Sequence, residues 1–143
     1  MIKIAFVCHG NICRSPMAEF LFKNMTNDKY YIKSFATSYE EIGNPVHYGT
    51  VKILNGLGID CSKKRAEKLR KEMYDDYDMF IGMDEYNMIN MQRIFGKNDK
   101  LFKLMNFAGL SKDVADPWYT GNFIQTYEDI MFGLNGLIKY LKR

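Results

Sequence analysis

The chain has 143 residues, of which 47% are hydrophobic and 26% are charged, and its formal net charge at pH 7 is +3. This length and apolar content suit a single domain, residues 1–143, with a full core. The net charge is too small to argue for nucleic-acid binding, no apolar run could span a membrane, and three cysteines do not suit a disulfide scaffold. We therefore expect a cytoplasmic protein, monomeric at this size, that binds neither nucleic acid nor membrane.

Strands and helices alternate along the sequence, which predicts an α/β fold with a four-stranded, mainly parallel sheet, doubly wound, with helices on both faces. The strands are predicted at 2–7, 30–37, 78–83 and 101–104. The helices are predicted at 15–24, 46–57, 66–74, 84–95 and 123–141. Ligands of doubly wound sheets bind beyond the carboxyl ends of the strands. The segment after the first strand is therefore the first candidate for a site.

A short loop, residues 8–15, joins the first strand to the first helix. Gly10 and Asn11 tolerate a left-handed backbone, so the loop can curl and direct successive N–H groups at one point. Ser15 is expected to cap the helix and Pro16 to occupy its first position. The helix N-terminus adds partial positive charge at the same place. The sequence therefore predicts a phosphate-binding loop after the first strand.

Cys8 lies at the start of this loop and Arg14 near its end. A guanidinium can bind two phosphate oxygens in a bidentate fork, which lysine cannot do. The helix terminus, Arg14 and the Ser15 hydroxyl should all favour the thiolate form of Cys8. A thiolate facing a bound phosphoryl group attacks it and forms a phosphocysteine. The alternative is a buried structural cysteine beside a surface arginine.

A second chemical segment is Asp116-Pro117-Trp118-Tyr119. A phosphocysteine forms only if the leaving group is protonated and breaks only if water is activated, and one carboxyl group can do both. We expect Asp116 to be that group, with Trp118 and Tyr119 as walls that suit an aromatic ester. The alternative is an ordinary Asp-Pro turn, and Asp113 is a nearby competing acid.

These segments resemble the low-molecular-weight protein tyrosine phosphatases. The resemblance is carried by Val7-Cys8, by the string from Gly10 to Glu19 and by residues 116–119, and it extends to Met83-Asp84-Glu85-x-Asn87. It implies a metal-independent enzyme without cofactors that hydrolyses phosphotyrosine in proteins and releases inorganic phosphate. By the same resemblance Cys8 is the nucleophile, Arg14 the phosphate clamp and Asp116 the general acid and base. The other residues expected to bind substrate are His9, Gly10, Asn11, Ile12, Cys13, Ser15, Trp118, Tyr119 and Tyr39.

Several residues near the loop have both a functional and a structural interpretation. Cys13 either forms a reversible disulfide with Cys8, which protects the nucleophile from over-oxidation, or packs under the loop. Glu19 and Asp84 either orient Arg14, or are a surface helix residue and a helix cap, respectively. Each choice depends on contacts between distant segments.

Further positions match or depart from the family pattern. Ser34 either bonds Asn11 and braces the loop, or is an ordinary strand serine. Lys63 lies where some relatives carry a histidine that braces the loop. Cys61 is expected to be structural.

The polar loop 38–44 aligns with the segment that determines specificity in the family. Tyr39 is displaced by one residue from the position where relatives often place an aromatic residue. Glu40 and Glu41 either favour basic residues around a phosphotyrosine or are simply solvated.

Three other functions compete. Arsenate reductases of this fold need two further cysteines after the loop, but only Cys61 follows Cys13. A phosphocarrier needs a stable phosphocysteine and no hydrolytic acid, which Arg14 and Asp116 argue against. A phosphotyrosine-binding module without activity would lack the nucleophile or the acid. Neither His9 nor His47 belongs to a metal-binding motif.

Overall fold

The centre of the protein is a four-stranded sheet with the strand order β2-β1-β3-β4. The computed structural model describes residues 1–142. Every pair of neighbouring strands is parallel, so the predicted fold is confirmed and the sheet is wholly rather than mainly parallel. The strands are β1 Lys3–Cys8, β2 Tyr31–Ala36, β3 Met79–Gly82 and β4 Leu101–Lys103.

Helices connect the strands and continue past the last one. The α-helices are α1 Arg14–Thr26, α2 Tyr48–Gly56, α3 Glu85–Phe95, α4 Pro117–Thr120 and α5 Phe123–Lys142. Two 3-10 helices, Lys71–Asp76 and Leu104–Ala108, complete the set found in residues 1–142. Among the helices of that part of the chain, none is both long and apolar enough to cross a bilayer.

The apolar run of β1 is buried on both faces of the sheet. Successive side chains of a strand point to opposite faces. Accordingly Ile4 and Phe6 join a core cluster with residues of α1 and α5, whereas Ala5 and Val7 join a second cluster with residues of α3 and of the 3-10 helix 71–76. A strand covered on both faces reads as a continuous hydrophobic run, as this one does.

The prediction of a helix at 66–74 is wrong for residues 66–70. Residues 66–70 are not helical, with Lys68 in an isolated bridge to Ala36, and only Lys71–Asp76 forms a 3-10 helix. The N–H of Ala36 donates to the carbonyl of Glu67 at 2.8 Å, and the N–H of Leu69 donates to the carbonyl of Ala36 at 2.8 Å. The segment thus satisfies backbone groups at the end of β2, a tertiary requirement that outweighs its local helix propensity.

The start of α1 also differs from the prediction. The helix begins at Arg14, and its N-cap is Cys13, which makes no side-chain capping bond. Ser15 therefore does not cap the helix, and Pro16 is its third residue rather than its first. The Ser15 hydroxyl is directed to Cys8 instead.

Candidate active site

A pocket of about 830 Å³ opens at the carboxyl end of β1. It is lined by residues 8–14, by Glu40 and Glu41, and by side chains from the start of α3 and from segment 113–119. Cys8, Arg14 and Asp116, which are far apart in sequence, all line this pocket. The structure therefore brings the predicted catalytic residues together.

The sulfur of Cys8 is surrounded by hydrogen-bond donors. It accepts from the backbone N–H of Asn11 at 3.3 Å and of Ser15 at 3.4 Å. The Ser15 hydroxyl lies 3.0 Å from the same sulfur. This arrangement favours a negatively charged sulfur, because charge on the acceptor strengthens each bond.

Asn11 determines which way these bonds run. It has φ 60°, and its Oδ1 accepts from the backbone N–H of Glu67 at 3.0 Å, which fixes the orientation of the amide. Its Nδ2 then donates to the Ser15 hydroxyl at 2.8 Å and to the Ser34 hydroxyl at 2.9 Å. Because Ser15 Oγ accepts here, its own hydrogen is free to point at Cys8. Of the two alternatives for Ser34, the bond to Asn11 is the one present. Of the two residues that tolerate a left-handed backbone, Asn11 has it and Gly10 does not.

Glu19 fits neither of its two interpretations: it is buried, so it is not a surface helix residue, and it bonds Ser34 and Lys23 rather than Arg14. Its Oε1 accepts from the Ser34 hydroxyl at 2.6 Å, and its Oε2 accepts from Lys23 Nζ at 2.6 Å. A second cation, Lys64, lies 3.5 Å from Oε1 and donates to the Ser34 carbonyl at 2.8 Å. Burial lowers the pKa of Lys64, and the charge of Glu19 acts against that shift.

Lys64 was not identified from the sequence. The position singled out there was its neighbour Lys63, and nothing local distinguishes the two lysines. Lys64 is directly followed by a segment that the bridges Pro45–Arg65 and Ala36–Lys68 hold against the rest of the protein, a tertiary arrangement that the sequence does not show. The cation under the loop is therefore one residue further along the chain.

Arg14 is buried against two carboxylates. Its Nη1 donates to Asp84 Oδ2 at 2.8 Å and to the Val114 carbonyl at 3.1 Å, and its Nη2 donates to Asp116 Oδ2 at 3.4 Å. Burial alone would lower the pKa of Arg14, but the negative charges of Cys8, Asp84 and Asp116 outweigh burial and raise it. The guanidinium is therefore charged and fixed in place beside Cys8.

Asp84 has both of the roles that the sequence left open. Its Oδ1 accepts from the backbone N–H of Asn87 at 2.8 Å and caps α3, while Oδ2 binds Arg14. Asn87 completes a capping box by accepting from the Asp84 backbone N–H at 3.1 Å. One carboxylate therefore joins α3 to the loop.

Asp116 caps the short helix α4. Its Oδ1 accepts from the backbone N–H of Trp118 at 3.0 Å, and Pro117 occupies the first helical position. Trp118 is 65% exposed, and its neighbour Tyr119 is also exposed at the pocket mouth. The acid and its aromatic wall thus belong to one small unit.

Two residues of α5 hold the segment that leads to Asp116. Asp129 Oδ2 accepts from the backbone N–H of Ala115 at 3.1 Å, and the Thr126 hydroxyl donates to the Ala115 carbonyl at 2.8 Å. Both side chains are buried. Sequence reasoning missed them because they lie on a helix whose packing position was not known from local patterns.

Asp113, the competing acid, is engaged elsewhere although it lines the pocket. It accepts from Lys103 Nζ at 2.6 Å and from the backbone N–H of Glu85 at 3.1 Å. These contacts join the segment 111–113 to β4 and to the start of α3. Of the two candidate acids Asp113 and Asp116, the one that contacts Arg14 is Asp116.

The loop 38–44 forms one side of the pocket mouth. His9 Nε2 lies 2.9 Å from Glu40 Oε2, and Glu41 lies close to Gly10. Tyr39 is exposed and does not line the pocket; Lys68 Nζ lies 4.8 Å from its ring centroid. The predicted contact of Tyr39 with substrate remains a prediction.

All three cysteines are free and buried. Burial, together with the nearby charges of Cys8 and Asp116, raises the pKa of Cys13 to about 12. Burial also raises the pKa of Cys61, which lies outside the pocket. Within residues 1–142, no group of three or more His, Cys, Asp or Glu side chains is arranged to hold a metal ion.

Known proteins are similar to this chain in sequence and in fold. Residues 3–143 match the family described as "Low molecular weight phosphotyrosine protein phosphatase". The low molecular weight protein-tyrosine-phosphatase PtpA of Staphylococcus aureus is 37% identical over 147 residues, which cover 99% of this chain and 94% of PtpA. The crystal structure of YfkJ from Bacillus subtilis is 36% identical with a TM-score of 0.93, over 99% of this chain and 95% of YfkJ. SP-PTP, a low molecular weight protein tyrosine phosphatase from Streptococcus pyogenes, is 37% identical with a TM-score of 0.88, over 99% and 93% of the two chains.

Proposed function

The chain belongs to the low-molecular-weight phosphotyrosine protein phosphatase family, and we propose that it hydrolyses phosphotyrosine in proteins through a phosphocysteine on Cys8. One observation carries this proposal. The sulfur of Cys8 accepts hydrogen bonds at the floor of a pocket in which Arg14 and Asp116 are in contact. Nucleophile, phosphate clamp and proton donor are therefore within reach of one phosphoryl group.

The first step transfers the phosphoryl group to the enzyme. The N–H groups of the loop 8–15 and the Arg14 guanidinium bind the phosphate oxygens. The thiolate of Cys8 attacks phosphorus, so that a P–S bond forms as the bond to the phenolic oxygen breaks. Asp116 gives its proton to that oxygen, and tyrosine leaves as a neutral phenol.

The second step hydrolyses the phosphocysteine. The Asp116 carboxylate, now deprotonated, takes a proton from water as the water oxygen attacks phosphorus. The P–S bond breaks, inorganic phosphate leaves, and the Cys8 thiolate is restored with the same donors around it. Asp116 is suited to both steps because its side chain is partly exposed at the pocket.

The aromatic wall supports an aryl ester as the substrate. Trp118 and Tyr119 present exposed rings at the pocket mouth, next to the acid. A tyrosine ring that enters the pocket would gain contacts with them that an aliphatic phosphate could not use. We therefore propose phosphotyrosine rather than phosphoserine as the substrate.

The test compares single variants on p-nitrophenyl phosphate and on a phosphotyrosine peptide. Cys8→Ser should abolish turnover and Arg14→Ala should nearly do so. Asp116→Asn should lower kcat by about 10²- to 10³-fold on the peptide, whose leaving group is poor. Asp113→Asn is the matched control, because Asp113 is a neighbouring acid that is paired with Lys103. Its kcat on the peptide should fall much less.

Further readouts address the chemistry. Acid quenching during turnover should trap the phosphocysteine on the wild-type enzyme. EDTA should leave the rate unchanged, and vanadate should inhibit. An active Cys8→Ser enzyme would overturn the mechanism.

A further inference from the structure

His47 lies where the catalytic loop, α2, α4 and α5 meet. Its backbone N–H donates to the carbonyl of Ile12 at 2.8 Å. Its ring stacks on Phe123, with centroids 5.1 Å apart and planes 17° apart, and Trp118 meets the ring at 6.1 Å with planes 79° apart. One residue therefore touches both the catalytic loop and the aromatic wall.

Phe123 gives the His47 ring a fixed platform. A Cβ atom on Gly49 would lie 2.6 Å from the Phe123 ring, so this ring is pressed against the first turn of α2. Phe123 also packs against the cluster that contains Ile12 and Cys13 of the catalytic loop. The ring that supports His47 is thus wedged between a helix and the loop.

The orientation of the His47 ring is fixed by a hydrogen bond as well. Nδ1 accepts from the backbone N–H of Gly49 at 3.1 Å and caps α2. This bond places the face of the imidazole on Phe123 and leaves Trp118 near-perpendicular to it. The stacking of the His47 ring on Phe123 and the cap on α2 therefore both depend on one rotamer of the His47 side chain.

Trp118 connects this ring to the acid. Its backbone N–H holds Asp116 Oδ1 at 3.0 Å, while Asp116 Oδ2 lies 3.4 Å from Arg14. Contacts consequently run from Ile12 through His47, Trp118 and Asp116 back to Arg14 of the same loop. The helix α4 has only four residues, so its position depends on such contacts rather than on its own stability.

We propose that His47 is a positioning residue for the phosphatase reaction, holding Trp118, and with it Asp116, over the phosphate site. This inference rests on the proposed function, because it assigns His47 a role in protonating the leaving group. The residue does not touch the reacting atoms. It acts through the near-perpendicular contact of its ring with Trp118.

Two variants separate the ring from the cap. In His47→Asn, the amide oxygen can still cap α2, because Asn is a favourable N-cap residue, but the stacking ring is lost. In His47→Phe, a ring remains against Phe123 and Trp118, but the acceptor for Gly49 is lost. The backbone bond to Ile12 is retained in both.

The substrates for this test are aryl phosphates with good and poor leaving groups. His47→Asn should lower kcat about tenfold on phenyl phosphate and on a phosphotyrosine peptide, and only two- to threefold on p-nitrophenyl phosphate, because a displaced acid matters most for poor leaving groups. His47→Phe should keep the wild-type dependence on the leaving group but unfold at a Tm a few degrees lower. Trp118 is the only tryptophan in the chain, so its emission maximum should shift in His47→Asn.

A double-variant cycle tests whether His47 acts through Trp118. If it does, the double variant His47→Asn/Trp118→Leu should have a kcat on the phosphotyrosine peptide only slightly below that of Trp118→Leu alone. Additive losses, or an equal loss on all aryl phosphates, would overturn the proposal. Should His47→Asn fail to fold, His47→Asp offers the same cap without the ring and carries the same comparison.

The two proposals fail in different ways. A wild-type protein that hydrolyses no aryl phosphate, or that does so without Cys8, removes the proposed function. A phosphatase that needs Cys8 and Asp116, but whose His47→Asn variant keeps the wild-type leaving-group dependence, removes only the role of His47.

Discussion

Arg14 and Asp84 form a 2.8 Å ion pair in which the two side chains are only 3% and 13% exposed. Asp84 uses its other oxygen to cap α3. The same carboxylate therefore holds Arg14, the proposed phosphate clamp, and caps a helix. Because water is largely excluded, the pair is screened much less than a surface ion pair.

Two substitutions of Asp84 should separate these roles. Asp84→Asn keeps a capping oxygen but removes the charge, and should lower kcat/KM by roughly tenfold, since charge-assisted hydrogen bonds are worth about 1.5–3 kcal/mol. Asp84→Ala should add a loss of about 1 kcal/mol in unfolding free energy because the cap is gone. Steady-state kinetics and urea unfolding measure the two effects. Equal stability of both variants would contradict the cap assignment.

Oxidation of the active site should depend on pH through Cys13. Peroxide converts the Cys8 thiolate to a sulfenic acid. The Cys13 thiolate then attacks the Cys8 sulfur, so that an S–S bond forms while the hydroxyl group on that sulfur is protonated and leaves as water. Burial raises the pKa of Cys13, so only a small fraction of molecules carries this thiolate at neutral pH. Disulfide formation should therefore accelerate as pH rises from 7 to 9.

Intact mass and thiol labelling after mild peroxide treatment measure this reaction. Cys13→Ser should leave Cys8 open to irreversible over-oxidation, whereas Cys61→Ser, outside the pocket, should behave as wild type. Absence of a Cys8–Cys13 bond at every pH would leave packing as the role of Cys13.

The pocket mouth should prefer phosphopeptides with basic neighbours. Glu40 and Glu41 line it, and Glu40 contacts His9, which is charged only if protonated. Exposed charge pairs are worth about 0.2–1 kcal/mol, so peptides with Arg beside the phosphotyrosine should be favoured by roughly two- to fivefold over peptides with Glu. Glu41→Gln should reduce this ratio and raised salt should weaken it.

A control for the change in net charge is Glu72→Gln. Glu72 is exposed and does not line the pocket, and within residues 1–142 its ion-pair contact is with Arg70 at 3.8 Å. If Glu72→Gln alters the peptide ratio as much as Glu41→Gln does, the mouth has no special role.

Two helical glycines should respond oppositely to alanine. A Cβ on Gly136 would clash with the carbonyl oxygen of Phe107, a backbone atom that cannot easily move, so Gly136→Ala should destabilise by about 1–3 kcal/mol. Gly56 has open space at the Cβ position, and Gly56→Ala should stabilise by about 0.5–1 kcal/mol. Urea unfolding of both variants measures the difference. A Gly136→Ala protein as stable as wild type would contradict the close approach of α5 to residue 107.

The site was predictable where its residues are neighbours in sequence. Cys8, Arg14 and Ser15 belong to one short loop between a strand and a helix, so the anion cradle follows from local backbone preferences. Asp116 became the candidate acid because of the proline and aromatics that follow it, and the structure places it in the same pocket as Cys8. The capping role of Ser15 was wrong because its hydroxyl is needed at Cys8.

The sequence by itself determined the alternation of strands and helices, the phosphate-binding loop and the family. Tertiary structure alone decided that Asp84 meets Arg14, that Glu19 supports Ser34, and that residues 66–70 pair with β2 rather than form a helix. The physical reason is that local patterns reflect the intrinsic preferences of the backbone. Contacts between segments tens of residues apart depend instead on which buried polar groups find partners when the elements pack.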